Sequence, residues 1–310
     1  MKAIWFERKG GPEVLEVRDV PDPVAGPDQA LVKIEAIGVN YRDVYERERE
    51  GYGADAPAII GAEAGGTTAG GERLVWSAGK ASYAERVAVD RGKTVPIPDG
   101  VATDVAVAAL LQGMTAHYLA HDSYPIEEGD WVVVHAAAGG VGLLLTQIAK
   151  LRGARVIATV SSDAKAELAR EAGADEVIGY DGFAERAKEL SGGGVAAVYD
   201  GVGKTTFLEG FKALRPFGRM ILYGSASGRP DPVDPHMLEA GGSLYVQRPT
   251  LQTHTRTPGL LRERAAALFA LIEGGELSVR IGARYSLAEA RQAHEDLEAR
   301  KTTGKLLLVP

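Results

Sequence analysis

Ala137, Gly139 and Gly142 stand at the offsets of a dinucleotide-binding turn. Such a turn needs a small residue where the chain reverses, a glycine where backbone meets pyrophosphate, and a glycine where helix packs on strand. The segment 131–135 reads as a buried strand entering the turn, and 141–151 as the helix leaving it. In that context the N–H groups and positive helix end at Gly140 and Val141 face the phosphates. A site selective for NAD ends its second strand in Asp or Glu, which takes the ribose 2′-hydroxyl. Here 155–160 runs into Ser161 and Ser162, Asp163 falls where a helix cap would sit, and Lys165 follows. Hydroxyls and an ammonium hold a 2′-phosphate that a carboxylate would repel, so the expected cofactor is NADPH. The competing reading has Asp163 capping the helix and Lys165 solvated.

Other groupings have the residue types of a site without its spacing. Gly203, Lys204 and Thr205 end like a phosphate-binding P-loop, yet the glycine that loop requires five positions earlier is Val198. His117 and His121 lie four apart on an expected helix, with no Glu after the first His and no third ligand nearby. The alternating run Glu46-Arg47-Glu48-Arg49-Glu50 reads as a solvated face. The chain has no cysteine, which excludes thiol nucleophiles, iron–sulfur clusters and cysteine-ligated zinc together. Its net charge of −7 comes without any block of Lys or Arg, so the clustered cations that nucleic acid requires are missing. No apolar run reaches bilayer-spanning length and no leader-like core opens the chain, so cytoplasmic residence is expected.

The elements that must hold these residues come in two styles. With 310 residues, 45% of them hydrophobic and 25% charged, the chain suits two domains, each with its own core. Short Val- and Ile-rich strands over 2–6, 14–20 and 30–37 are separated by Pro and Gly, and helical segments over 103–109 and 113–121 follow. From 131 onward, strands over 131–135, 155–160, 176–178, 195–199 and 219–223 alternate with helices over 141–151, 163–172, 183–190 and 205–214. That alternation means βαβ units on a parallel sheet. Helices over 260–272 and 287–300 and a strand over 305–309 close the chain. The fold class is α/β: a Rossmann doubly wound parallel sheet domain over 113–247, inserted into a β-rich domain built from 1–112 and 248–310. A cleft between them is the expected binding site.

Five segments resemble one family together: Asn40-Tyr41-Arg42-Asp43-Val44-Tyr45, His135 through Gly142, Thr159-Val160-Ser161-Ser162, Val198 through Gly203, and Arg248-Pro249-Thr250-Leu251. The chain is similar, from Met1 to Pro310, to the NADPH:quinone oxidoreductases, the zinc-free, zeta-crystallin-like branch of the medium-chain dehydrogenase/reductase superfamily. The resemblance implies a GroES-like catalytic domain beside the Rossmann domain, and a homodimer joined along the last Rossmann strand, near 243–246. It also implies that the 2′-phosphate meets Ser161, Ser162 and Lys165, with Tyr180 near the adenine end, and that the pyrophosphate lies on Gly139, Gly140 and Val141. Further residues matching cofactor-lining stretches are Tyr41, Arg42, Asp43, Tyr118, Val202, Tyr223, Gly224, Ser225, Ala226, Val246, Gln247, Arg248 and Arg300. Two departures stand out. Zinc-using relatives carry Gly-His-Glu where this chain has Gly61-Ala62-Glu63, and the run from Gly65 to Val75 is shorter than the family's.

Without a metal to polarise a carbonyl, the acceptor must take hydride with little help, which a quinone does because reduction makes it aromatic. The protein then mainly orients its reactants. Asn40, Tyr45 and Tyr52 are the candidates to position the acceptor oxygen and donate a hydrogen bond or proton. Against this, Asn40 can simply end a strand, Tyr45 can be core, and Tyr52 sits beside glycines in a loop. Two other activities stay open. One is reduction of an activated carbon–carbon double bond in an enal, enone or enoyl thioester; the other is non-catalytic NADPH binding of the kind seen in lens crystallins.

Overall fold

A strand covered on both faces cannot alternate apolar with polar residues. Val195–Asp200 is accordingly buried at every position, and so are Val132, Val133 and Val134 next to it. The computed structural model describes residues 1–310. These two strands form the centre of a six-stranded parallel sheet, in the order Glu176–Ile178, Arg155–Thr159, Trp131–Val134, Val195–Asp200, Leu214–Leu222, Tyr245–Gln247. The strand order reverses between Trp131–Val134 and Val195–Asp200, which is the doubly wound arrangement. Val133, Ile157, Val198, Phe183 and Phe207 build the core on one side of it. The sheet belongs to a compact unit of Thr115–His254; Met1–Met114 and Thr255–Pro310 make the other unit.

The second unit is mixed β. Gln29–Val39 is its longest strand, and the first part alternates exposed and buried residues as a one-sided strand must. It pairs antiparallel with Glu63–Thr68, Arg86–Asp90 and Lys305–Val309. A smaller sheet joins Leu15–Asp19, Lys2–Phe6 and Ala58–Ile59. Phe6, Ile34, Ile37, Trp76, Tyr83 and Leu308 pack into one core between these sheets. The segment that the resemblance marks as trimmed is a complete hairpin. Glu63–Thr68 and Arg73–Trp76 are joined by a tight turn in which Gly71 takes φ +84° and the Thr68 hydroxyl accepts from the Glu72 N–H.

Three expectations need correction. The helical segments over 103–109 and 113–121 are one α-helix, Thr103–Tyr118, continued by a π-helical turn over Leu119–Ser123. Gly113 does not break it; a Cβ there would lie 2.6 Å from Leu268, so the glycine serves a close helix contact. The helix expected over 205–214 is a single turn, Phe207–Gly210, then a 3-10 turn, and the strand already begins at Leu214. Pairing of Leu214 with Val195 outweighs helical propensity there, and the ladder is irregular until Arg219 pairs with Ala197. Finally, Ser162 rather than Asp163 holds the cap position of helix Asp163–Glu171.

Candidate active site

At the glycine turn, Ala136 adopts φ +51° and Gly139 caps helix Gly140–Leu151. A Cβ on Gly142 would come within 2.5 Å of the Ala136 carbonyl oxygen and 2.6 Å of the Ala137 Cα. Only glycine lets the helix sit so close, and the closeness aims its first-turn N–H groups, which have no intrahelical acceptor, past the strand ends. Gly139, Gly140 and Val141 remain partly exposed. His135 and Tyr180 brace the turn: the Tyr180 hydroxyl accepts from the Ala136 N–H at 3.1 Å, and His135 Nδ1 meets the Thr159 hydroxyl at 2.8 Å. Burial pushes His135 down to about 3, so the imidazole is neutral.

Beside the turn lies a cavity of about 510 Å³ lined by Ser161, Ser162, Asp163, Ala166, Val177, Ile178 and Tyr180, among others. Lys165 Nζ donates to Ser161 Oγ at 3.3 Å. Ser161, Ser162 and Tyr180 line one cavity, and Lys165 reaches it through Ser161. The chain's own residues also bring Arg170 and Asp181 to this cavity, which sequence reasoning did not assign. The signal for Arg170 was present as helical spacing, since Asp163, Ala166 and Arg170 share a face; Asp181, after the next strand, had none.

Farther along the sheet, Asp200 is buried and braces the loop after its strand. It accepts from the N–H groups of Val202 (2.6 Å) and Gly203 (3.0 Å) and from the Thr206 hydroxyl (2.8 Å). The loop of Tyr223, Gly224, Ser225 and Ala226 is stapled onto this one, with Ala226 N–H to Gly201 O at 3.2 Å. A Cβ on Gly224 would lie 2.6 Å from the Gly201 carbonyl oxygen. Tyr118 is placed otherwise than expected. It is almost fully buried, with its ring stacked on His254 at 4.2 Å, and His254 is held by Asp122 at 2.9 Å. Val246 and Gln247 lie on the exposed edge strand, and Arg248 follows, its guanidinium donating to the Pro249 carbonyl. His117 and His121 stack on one another at 4.0 Å, and no group of three or more metal-ligating side chains exists in the chain.

In the mixed-β unit, helix Tyr41–Glu48 carries the remaining candidates. Asn40, at its cap, has no amide hydrogen left for an acceptor. Its Nδ2 donates to Glu63 Oε2 (2.9 Å) and the Gly38 carbonyl (3.1 Å), and its Oδ1 accepts from Lys305 Nζ (2.7 Å). Lys305 and Glu63 form a buried ion pair at 2.5 Å, and Glu63 Oε1 accepts from the Leu111 N–H. These contacts give Asn40 a structural role at the helix start. Lys305 heads an apolar run, which is a weak sign of a buried charge; its partner, 242 residues away, had no signal.

Asp43 is likewise fully buried, accepting from the Asn40 N–H at 2.9 Å and the Tyr83 hydroxyl at 3.1 Å, with Oδ1 unpartnered. Burial pushes it up to about 7. Tyr83 also meets His294 Nε2 at 3.2 Å, and Arg47 reaches His294 Nδ1 at 3.2 Å. Arginine only donates, so Nδ1 accepts and the ring proton sits on Nε2, directing Tyr83 to donate to Asp43. Burial, with Arg47 adding to it, holds His294 down at about 3. Arg42 is partly exposed beside this network. Tyr41 stands over the Leu297 turn, where Arg300 adopts φ +57°.

Tyr45 and Tyr52 form an aromatic cluster. Their rings meet edge-to-face at 5.9 Å, Tyr41 flanks Tyr45 at 6.1 Å, and the Arg49 guanidinium lies 3.7 Å over the Tyr45 ring. Tyr52 is 38% exposed. An aromatic platform with a phenolic hydroxyl at its rim suits a flat, oxygen-bearing acceptor.

No helix is long and apolar enough to cross a membrane. Residues 26–123 match the alcohol dehydrogenase GroES-like domain, and residues 140–268 match the zinc-binding dehydrogenase family. A quinone oxidoreductase of Pseudomonas aeruginosa is 40% identical, the match covering 100% of this chain and 99% of that one. A mycobacterial protein solved in complex with NADPH superposes with a TM-score of 0.96 at 46% identity, over 100% of both chains. The Escherichia coli quinone oxidoreductase complexed with NADPH gives 0.95 at 36% identity, again over 100% of both. The second family description names zinc, but the chain lacks the cysteine ligands of zinc-using members. The chain belongs to the quinone oxidoreductase family, the zinc-free branch of the medium-chain dehydrogenase/reductases.

Proposed function

We propose that this chain is an NADPH-dependent quinone reductase that works without a metal. The observation that carries the reading is full-length identity to a quinone oxidoreductase, joined to NADPH-bound relatives of the same fold. The cofactor fits what the structure offers: a turn too tight for a side chain at Gly142, and a cavity lined by Ser161 and Ser162, with Lys165 donating to the Ser161 hydroxyl. When bound, NADPH supplies hydride from the nicotinamide C4.

The chain's residues do the rest. The N–H groups of Gly140 and Val141 hold the pyrophosphate, and Lys165 with the two serines holds the 2′-phosphate. The loops braced by Asp200 support Val202 and the Tyr223-to-Ala226 stretch. Tyr45 and Tyr52 take the acceptor, and the Tyr52 hydroxyl donates a hydrogen bond to an acceptor oxygen as negative charge develops there. Asn40, fixed by Lys305 and Glu63, anchors the helix that presents Tyr45. We assign the exposed edge strand Tyr245–Gln247 to a second copy of the chain, whose own edge would continue the sheet. A setting that supplies NADPH, the cytoplasm, fits this chemistry.

The decisive test is an NADPH-oxidation screen of the purified protein. 1,4-Benzoquinone and naphthoquinones would be set against enones and enoyl thioesters. Turnover on quinones supports the reading; turnover confined to enones or thioesters replaces it with double-bond reduction. Tight NADPH binding with no turnover on any of them makes the protein a non-catalytic binder.

A further inference from the structure

Arg170 borders the cavity beside Ser161 and Ser162, and its guanidinium makes no hydrogen bond or ion pair. Asp163 and Asp181 border the same cavity, yet neither pairs with it. A cation left unpaired with two carboxylates on the same rim is available to a ligand.

Its position says which part of a ligand. On helix Asp163–Glu171, residues 163, 166 and 170 fall on one face, and a side chain from 170 leans toward the helix start, across the turn that holds Ala166. Ala166 is a methyl only, so nothing blocks that path. Lys165 projects from a different face and sends its ammonium to Ser161. Arg170 is five positions farther on, about 7.5 Å of helix rise, so the two cations serve different parts of a bound molecule. The cavity that Arg170 borders includes the apolar side chains of Val160, Ala166, Val177 and Ile178. Apolar walls with one uncommitted planar cation suit the face of an aromatic base better than a phosphate.

We propose that Arg170 covers the adenine ring of the bound dinucleotide, leaving the 2′-phosphate to Lys165 and the serines. This rests on the reading that the cavity takes the adenosine end of NADPH. The ring is shared by NADPH and NADH, so the contact contributes to both alike and adds affinity rather than selectivity.

Dissociation constants for NADPH and NADH would be measured by fluorescence titration of the full-length wild type, Arg170→Ala and Lys165→Ala. Arg170 is exposed, so its removal leaves the fold intact. Arg170→Ala should weaken both dinucleotides by about fivefold, with the ratio between them unchanged. Unchanged affinity for both overturns the proposal. So does a loss confined to NADPH, which would make Arg170 a phosphate ligand. The underlying reading fails in a different pattern: wild type that binds neither dinucleotide overturns both, whereas wild type with no preference for NADPH removes the 2′-phosphate assignment and leaves the Arg170 comparison to be decided by its own ratio.

Discussion

The helix start at Asn40 and the strand end at Ser161 both gather polar side chains, and they use them in opposite ways. Around Asn40 nearly every donor and acceptor is spent on another protein group: Lys305 on Glu63 and Asn40, Tyr83 on Asp43, Arg47 on His294 and the partly exposed Glu298. Around Ser161 an open cavity is bordered by Arg170, which pairs with nothing, while Lys165 donates to the Ser161 hydroxyl. Buried charge is tolerated only when paired and hydrogen-bonded, so the first cluster is a structural device. An exposed, unpaired charge such as Arg170 has a small desolvation penalty and stays ready for a ligand. Density of polar residues alone does not mark a site; what marks it is polar capacity left unused.

The contrast breaks most visibly at Lys305. Lys305→Met strands the Glu63 carboxylate in a dry core and should cost ~3–5 kcal/mol of stability in urea unfolding. The double variant with Glu63→Leu should recover most of that. A loss near zero for the single variant would mean the pair is hydrated.

The histidines should make the same contrast visible in acid. His135 and His294 are held at about 3 against an ordinary 6.5, so the unfolded chain takes up protons that the folded chain refuses. Their contribution is fully present above 6.5 and is lost as pH falls toward 3. Asp43, raised from 3.8 to about 7, works in the other sense, because the folded carboxyl binds its proton first. Between these limits the net difference is one proton, and stability should fall by ~1.4 kcal/mol per pH unit as the solution is acidified. Asp43→Asn removes the opposing group and should roughly double that slope in pH-dependent urea melts; an unchanged slope would show Asp43 ionised in the fold.

At the open cavity, Lys165→Ala should weaken NADPH binding by about tenfold or more while leaving NADH nearly unaffected, without any change in unfolding. Equal losses would sink the 2′-phosphate assignment. The smallest effect belongs to Tyr52→Phe, which should lower kcat with quinones by about fivefold, the size of one hydrogen bond, at unchanged NADPH affinity. Unaltered turnover would remove Tyr52 from the acceptor's surroundings.

Much of the cavity was legible in sequence, because its parts are local. The glycine turn and the Ser161-to-Lys165 stretch each lie within one βα connection, and hydrophobic periodicity alone gives their strand and helix. The buried networks were not legible. Tyr83 and His294 are 211 residues apart, and nothing in either neighbourhood announces the other. The contacts of Asn40 were hidden for the same reason: its residue type suits a substrate contact, and only the fold reveals its bonds to Lys305 and Glu63. The short helix at Phe207–Gly210 failed differently, since sheet pairing of Leu214 overrode a local helical pattern.

Gly38 ties these observations to how the sequence can change. A Cβ at this position would lie 2.2 Å from Glu63 Oε2 and 2.9 Å from the Lys305 stem. The missing methyl is therefore the space in which the ion pair sits. Substitutions at 38, 63 and 305 should be strongly non-additive: each alone is damaging, and viable replacements must arrive as a set. Along a lineage, those three positions would drift together or stay fixed together, while Arg170, bound to no neighbour, is free to vary with the ligand alone.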